Sequence, residues 1–258
     1  MPINRLKTPE LFRFLNLIGF VLVLGTNYLA NSLPLNGLQT GQISDFYPNL
    51  FVPAGRTFAI WGVIYLLMAG FVLIPFFSKK ADIIQRFGWY FASSCLANAG
   101  WLFCWHYRFL GGSLICMLTL LMVLTQMYRR LGPVKSPAKW PEKVWINGLI
   151  SIYLAWICVA TIANVTTVLV HTGWSGLGLD PLIWTIVLMC IATALGGWFV
   201  WRYQDLAYAG VMLWALYGIY SKQTEVGGPQ LLVNVSQGLM ILLILSSIVI
   251  TVKKRGFS

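Results

Sequence analysis

The sequence predicts an all-α membrane protein, a helical bundle of about eight transmembrane helices. The chain is 58% hydrophobic and only 10% charged, whereas a soluble domain is about 25% charged. Its outer surface is therefore expected to face lipid. Because a chain in lipid must satisfy every backbone polar group internally, only helices or a closed barrel can cross the membrane. The apolar segments are longer and more continuous than the alternating strands of about ten residues that build a barrel, which favours helices.

Eight apolar segments follow one another along the chain, and most approach the ~20 residues that an α-helix needs to cross the hydrocarbon core. They cover residues 11–31, 56–77, 84–106, 109–128, 144–170, 181–201, 204–221 and 229–252. The basic N-terminus ahead of the first segment would also fit a cleavable signal peptide. That segment is long enough to span the membrane, which favours a retained signal anchor with a cytoplasmic N-terminus.

The basic residues separate onto one side of this predicted topology. Of the 18 Lys and Arg residues, only Arg56, Arg108 and Lys222 fall on the other side. The rest are Arg5, Lys7, Arg13, Lys79, Lys80, Arg86, Arg129, Arg130, Lys135, Lys139, Lys143, Arg202, Lys253, Lys254 and Arg255. Short loops rich in Lys and Arg stay in the cytoplasm, so both termini are predicted to be cytoplasmic. The net charge of +11 is ascribed to topology and to anionic lipid headgroups rather than to nucleic acid.

Two segments on the predicted outside differ from the short connections elsewhere. Residues 31–55 form the longest loop and mix Pro and Gly with apolar side chains, which favours a packed lid over a flexible linker. Residues 172–180 are rich in Gly and separate the first five predicted helices from the last three. On the inside, the basic, Pro-rich connection 130–143 is predicted to be solvated.

The polar residues argue against several functional classes. No acidic residue falls deep within a predicted helix, which argues against a proton pump or an ion-coupled carrier. The five cysteines lie inside predicted helices without a C-x-x-C spacing, so we expect neither a disulfide framework nor a metal site. His106 and His171 end two predicted helices and are expected at the membrane interface. Because no nucleophile–base motif is present, no enzyme activity is predicted.

Tryptophan is frequent, with 12 in 258 residues. Many of these residues are predicted to form the aromatic belts at the membrane interfaces, namely Trp89, Trp140, Trp145, Trp174, Trp184, Trp198 and Trp201. A second group shares its helices with amide side chains and is a candidate for lining a cavity; it comprises Trp61, Trp101, Trp105 and Trp156. The amides are Asn98 and Asn164, and each would either hold two helices together or bind a ligand.

Three sequence blocks rich in aromatic residues lie on the second, third and fifth predicted helices. Residues 53–68 read PAGRTFAIWGVIYLLM, a Pro/Gly turn followed by Phe, Trp and Tyr. Residues 98–103 read NAGWLF, and residues 153–164 read YLAWICVATIAN. In this order and spacing the blocks resemble the TspO/MBR family, the tryptophan-rich sensory proteins related to the mitochondrial translocator protein.

The blocks depart from the family pattern in places. Phe58 precedes Trp61 by three residues rather than four. Cys104 and Trp105 stand where a second Phe is expected, and Ala163 replaces a common Leu. The last three predicted helices have no counterpart in five-helix members, so the chain is identified as an extended, divergent member of the family.

The resemblance implies a TspO-like five-helix transmembrane bundle at residues 1–172 and a three-helix transmembrane extension at residues 173–258. In this family an aromatic-lined pocket lies near one membrane face, under the loop between the first two helices. Members bind porphyrins, other tetrapyrroles and sterol-like ligands, and are implicated in transport, sensing or stress response. A flat apolar ligand would stack on Trp and Phe rings while amides fix its orientation. Matching positions give the candidate ligand-binding residues Phe58, Trp61, Tyr65, Asn98, Trp101, Trp105, Trp156, Ala160 and Asn164.

The leading hypothesis is an integral membrane binding protein, transporter or sensor for a planar hydrophobic ligand. No obligatory cofactor is expected beyond a bound tetrapyrrole or lipid. The second hypothesis is an accessory subunit of a larger membrane complex or a homo-oligomer, because the pocket does not require the last three helices. A tetrapyrrole-degrading enzyme ranks third, since no acid–base constellation is present. The expected partners are the lipid bilayer and a hydrophobic small molecule, with no nucleic acid.

Overall fold

The computed structural model describes residues 7–33, 35–77, 86–132 and 143–256. Within these ranges the chain is largely helical and contains no strand, so the predicted all-α class is confirmed. Most of the inside connection 130–143 lies outside the described residues. So do Trp140 of the predicted belt and five residues of the predicted basic side, Arg5, Lys79, Lys80, Lys135 and Lys139.

The described residues form eight long helices and one short one. In chain order they are α1 (Lys7–Asn31), α2 (Thr40–Ser44), α3 (Ile60–Phe77), α4 (Tyr90–His106), α5 (Leu110–Leu131), α6 (Leu149–His171), α7 (Pro181–Tyr203), α8 (Leu206–Glu225) and α9 (Gln230–Gly256). Each long helix overlaps one of the eight apolar segments. A π-helical stretch, Lys143–Gly148, precedes α6, and a 3-10 helix, Gly55–Ala59, precedes α3.

Six of the long helices in the described ranges are long and apolar enough to cross a membrane. The two exceptions are α4, which has 17 residues, and α8, which carries three tyrosines and ends in the polar sequence SKQTE. The prediction of about eight spans is therefore correct for the number of long helices and approximate for the number of spans. These helices indicate an integral, multi-pass membrane protein.

Two aspartates set the beginnings of α7 and α8. The Asp180 carboxylate accepts a hydrogen bond from the Leu182 amide at 2.7 Å, and Pro181 occupies the first helical turn. The Asp205 carboxylate accepts from the Tyr208 amide at 3.0 Å. Both side chains satisfy amides that a helix N-terminus leaves without an intrahelical partner. These acidic residues thus cap helix ends rather than entering the predicted spans.

The first compact unit comprises residues 1–43 and 61–153. In it α1 packs against α4, and α4 packs against α5. Gly19 allows α1 to approach closely, because a Cβ there would lie 3.2 Å from the Cβ of Cys95. The rings of Phe71 and Phe91 stack with centroids 4.5 Å apart. This unit therefore has its own apolar core.

The second compact unit comprises residues 44–60 and 154–258, with α7, α8 and α9 packed against one another. The segment before α3 is fixed on α8: the Ala54 amide donates to the Gly218 carbonyl at 3.0 Å, and the indole of Trp214 donates to the Thr57 carbonyl at 2.8 Å. A Cβ at Gly218 would collide with Thr57. The two units are defined by packing, and the division of the chain at residue 172 stays a prediction.

The loop predicted at residues 31–55 is packed at several of its described residues. Ile43 is buried in the first unit, and Phe51 is buried in the second. In the first unit the Asn36 side chain donates to the His106 carbonyl at 3.0 Å. In the second unit the Gln223 side chain donates to the Leu50 carbonyl at 3.1 Å. Leu33 and Phe46, in contrast, are 58% and 54% exposed. The loop is therefore packed in part, and its role as a lid stays a prediction.

Candidate functional site

The nine residues of the predicted site fall into two groups, one in each compact unit. The first unit holds Trp61, Tyr65, Asn98, Trp101 and Trp105, and the second holds Phe58, Trp156, Ala160 and Asn164. Within each group the side chains share helix faces, because several pairs are four residues apart in one helix. The geometry within each group determines what that group can bind.

An aromatic stack, made of Tyr65, Trp61, Trp101 and Trp105, lies in the first unit. The Trp61 ring stacks on Tyr65 with centroids 5.6 Å apart and on Trp101 with centroids 6.3 Å apart. Trp101 stacks in turn on Trp105 at 6.0 Å. The interplanar angles are 21° to 24°, and the Tyr153 ring meets Trp61 edge-on. The stack thus offers several nearly parallel ring faces. A flat apolar molecule can stack on faces of this kind.

One end of the aromatic stack is fixed to the chain segment that follows α1. The indole of Trp105 donates to the Thr40 carbonyl at 3.1 Å. The buried ring of His106 lies 3.1 Å from the Leu35 carbonyl through Nδ1 and 3.0 Å from the Thr40 hydroxyl through Nε2. Since a carbonyl only accepts, Nδ1 carries the hydrogen in this assignment and Nε2 accepts from the hydroxyl. His106 therefore holds this segment in place with a buried ring, and its expected position at the membrane interface stays a prediction.

Three buried polar atoms of the aromatic stack and its surroundings have no partner among the residues that the structure describes. They are Tyr65 Oη, Asn98 Oδ1 and Trp101 Nε1. Asn98 is fully buried, and its Nδ2 donates to the Tyr153 hydroxyl at 2.7 Å. A buried polar atom left without a partner costs about 1–3 kcal/mol, and the large majority of buried polar groups in proteins bond to the protein or to ordered water. Tyr65 Oη and Trp101 Nε1 can each donate a hydrogen bond, and Asn98 Oδ1 can accept one.

The second group lies mainly along one face of α6. Trp156, Ala160 and Asn164 are spaced by four residues, and Trp156 and Asn164 are buried. The Phe58 ring meets Trp156 edge-on, with centroids 5.8 Å apart. Ala160 presents a small side chain between the two larger ones on this helix face, which leaves room for a neighbouring group.

A cavity that the sequence did not predict lies in the second unit. Its volume is about 620 Å³. It is half-open and is bordered by four chain segments: residues 44–52, the end of α6 from Thr166 to Val170, residues 174–188 and the last turn of α8 with Val226. We call it the loop cavity. The tilted rings of Trp174 and Trp184, with centroids 5.3 Å apart, line it. The sequence assigns these two tryptophans to the aromatic belt, whereas the length of loop 31–55 and the glycines at 172–180 are the signals that could have located the cavity.

Comparison with known proteins agrees with the resemblance of the three sequence blocks. The family model for TSPO-like protein matches residues 13–250 of the chain. The matched range continues beyond residue 172 and includes α7, α8 and most of α9. No curated protein and no solved structure matches the chain. The chain belongs to the TSPO-like protein family.

Proposed function

We propose that this membrane protein binds a planar hydrophobic ligand, of the tetrapyrrole or sterol class, and transports or senses it. Family membership supports a binding or transport role in the membrane. The observation that carries the ligand class is the aromatic stack with three buried polar atoms that bond to none of the described residues, Tyr65 Oη, Asn98 Oδ1 and Trp101 Nε1. Ring faces select a flat apolar body, and the polar atoms select a ligand with a hydrogen-bonding group.

The donor and acceptor types of these atoms narrow the ligand chemistry further. An indole N–H only donates, and an amide oxygen only accepts. A ligand that engages both Trp101 and Asn98 must therefore carry both an acceptor and a donor. A hydroxyl group, a protonated carboxyl group or a pyrrole–imine pair meets this requirement. An entirely apolar hydrocarbon does not, because it leaves both buried atoms without a partner.

The residues on α6 complete the proposed site through the family resemblance. Trp156 and Phe58 would add ring faces, Asn164 would add a polar contact, and Ala160 would allow close approach of the ligand. Because Trp156 and Asn164 are buried, their replacement also tests packing. Binding must therefore be measured together with stability for these positions.

A titration of the purified protein with protoporphyrin, followed by tryptophan fluorescence, tests this proposal. We expect Trp61→Phe and Trp101→Phe each to weaken binding by up to about tenfold, because a phenyl ring offers a smaller face than an indole and has no N–H donor. Trp201→Phe is the matched control, since the Trp201 side chain is 57% exposed and is assigned to the belt. Equal affinities in all four proteins would refute the proposed site.

We further propose that both termini face the cytoplasm. The separation of the basic residues supports this orientation. In the first unit, Arg130 on α5 lies over the Tyr90 ring at 4.4 Å and donates to the Arg86 carbonyl at 3.0 Å. The end of α5 and the beginning of α4 are thus at one side, as the alternating topology requires. Fluorescent-protein fusions to the two ends are expected to report the same compartment; opposite compartments would refute the orientation.

A further inference from the structure

The loop cavity is a candidate binding site separate from the residues of the proposed function. Its volume of about 620 Å³ falls within the ≈ 300–1,000 Å³ that is typical of small-molecule sites. None of the nine residues of the predicted site lines it. The cavity lies where α6 and α8 end and α7 begins. Helix ends of a membrane protein lie near the headgroup level of the bilayer, so an occupant has access to both apolar and polar surroundings.

Most polar side chains around the loop cavity are already used by the protein itself. Asn49 Oδ1 accepts from the amides of Phe51 and Val52 at 3.2 and 3.1 Å. The indole of Trp184 donates to the Gly176 carbonyl at 2.8 Å, and the Thr185 hydroxyl donates to the Pro181 carbonyl at 2.8 Å. Because these groups are satisfied, the wall offers an occupant mainly apolar surface. The body of the ligand must accordingly be apolar.

The polar end of the loop cavity is formed by the last turn of α8. Lys222 lines the cavity, and its Nζ lies 4.0 Å from Asp45 Oδ1, a long ion pair in which the Asp45 side chain is 72% exposed. Next to it Gln223 is 2% exposed, and its Oε1 has no partner among the described residues. The ammonium group of Lys222 has three donors, so a long contact with an exposed carboxylate leaves it able to bind another anion.

The other acidic groups near this end are engaged elsewhere. Glu225 pairs with Arg56 at 2.6 Å, and Asp180 caps α7. Lys222 and Asp45 are therefore the charged pair that an occupant meets. An anionic headgroup would replace the exposed Asp45 carboxylate at Lys222, whereas a cationic one would meet the ammonium group directly.

We propose that the loop cavity binds a single-chain anionic amphiphile, a molecule with an acyl chain and one carboxylate. The acyl chain lies against Trp174, Trp184 and Leu188, and the carboxylate binds the ammonium group of Lys222. The long contact of Lys222 with an exposed partner, together with a wall whose polar groups are satisfied, selects this class over neutral and cationic amphiphiles.

Photo-crosslinking with a diazirine-bearing hexadecanoic acid tests this proposal in the full chain, reconstituted in phosphatidylcholine nanodiscs. We expect crosslinks on peptides that contain residues 44–52, 166–188 and 222–226. Hexadecanoic acid is expected to compete about tenfold better than hexadecanol, the effect of one charge-assisted contact. Equal competition by hexadecanol or by hexadecyltrimethylammonium would overturn the proposed charge selectivity, and crosslinks confined to other peptides would overturn the site.

Two pairs of variants locate the ligand within the cavity. Lys222→Gln is expected to abolish the preference for the acid over the alcohol. Lys253→Gln, on the predicted cytoplasmic side, is expected to retain this preference.

Leu188→Trp fills the cavity and is expected to reduce crosslinking at least about fivefold, whereas Val187→Trp, on the exposed side of the same helix, leaves crosslinking unchanged. Crosslinking that is the same in Leu188→Trp and Val187→Trp would refute the site. The competition series uses wild-type protein, so a folding defect in a variant does not affect its result.

Discussion

The aromatic stack and the loop cavity differ in how space and polar groups are distributed. In the aromatic stack, four rings lie with centroids 5.6–6.3 Å apart, and three buried polar atoms have no partner in the described chain. Around the loop cavity, a volume of about 620 Å³ remains, and most lining polar groups bond to the protein itself. The comparison teaches that rings assigned to an interfacial belt by sequence, Trp174 and Trp184, can line a cavity. We have proposed a planar ligand for the first region and an apolar chain for the second, and the predictions below separate the two regions.

The largest expected difference concerns truncation of a matched pair of leucines. Leu102 is buried beside Trp101 in the first unit, and Leu188 lines the loop cavity. We expect Leu102→Ala to lower the free energy of unfolding by about 2–5 kcal/mol, because it removes contacts and leaves a void. Leu188→Ala is expected to cost about 1 kcal/mol, since one side of the leucine already faces open volume. Thermal unfolding in detergent, monitored by the labelling of the buried Cys95 thiol, measures the stability of both variants. Equal losses of stability in Leu102→Ala and Leu188→Ala would contradict the expected difference.

Enlargement of the same two leucines is expected to give effects of opposite sign. Leu102→Phe should destabilise by about 1–3 kcal/mol, because a packed core has no room for a larger side chain. Leu188→Phe should stabilise by about 0.5–2 kcal/mol, as cavity-filling substitutions commonly do. Val187→Phe is the control for added apolar area on an exposed position. Destabilisation by Leu188→Phe would show that the cavity wall cannot accept a larger ring.

The two regions each contain a buried amide whose oxygen has no partner within the part of the chain that the structure describes, and these amides are expected to respond differently. Gln223→Leu removes the donor to the Leu50 carbonyl, so it should cost about 1–2 kcal/mol and speed limited proteolysis within residues 44–52. Both changes remove an oxygen that has no partner among the described residues, but Asn98→Leu leaves behind the Tyr153 hydroxyl, whose hydrogen can rotate, rather than a fixed carbonyl. Its expected cost is about 0.6 kcal/mol, with a loss of porphyrin affinity instead. Faster cleavage within residues 44–52 in both variants would contradict the expected difference between the two amides.

The smallest expected effect belongs to the exposed charges beside the loop cavity. Arg56 and Glu225 pair at 2.6 Å, yet their side chains are 56% and 52% exposed. An exposed ion pair contributes about 0–1 kcal/mol, so Glu225→Gln should lower the free energy of unfolding by less than about 1 kcal/mol. This loss should shrink at high salt, because salt screens exposed charges. A loss above that range that persists in salt would mean that the pair fixes the segment before α3.

Much of the fold could be predicted because lipid leaves few alternatives to helices. Apolar length located all eight long helices, and spacing by four residues placed Trp61 with Tyr65 and Trp101 with Trp105 on shared faces. The partners could not be predicted, because they come from segments distant in sequence: Thr40 and Leu35 for His106, and Leu50 for Gln223. The loop cavity depends entirely on such contacts.

The assignment of Trp174 and Trp184 shows the same limit. An indole near a helix end fits an interfacial belt by sequence alone, yet these two rings line a cavity. Their role follows from the way residues 44–52 fold against the ends of α6 and α8, which no local pattern specifies. The glycines at 176 and 178, both with positive φ, marked the turn but not the volume that it encloses.

A density map of the protein saturated with protoporphyrin tests the central claim most directly. The account predicts ring density against Trp61 and Trp101, with a polar group of the ligand within hydrogen-bonding distance of Asn98 Oδ1. Porphyrin density found only in the loop cavity, or an aromatic stack unchanged and without ligand at saturation, would contradict it.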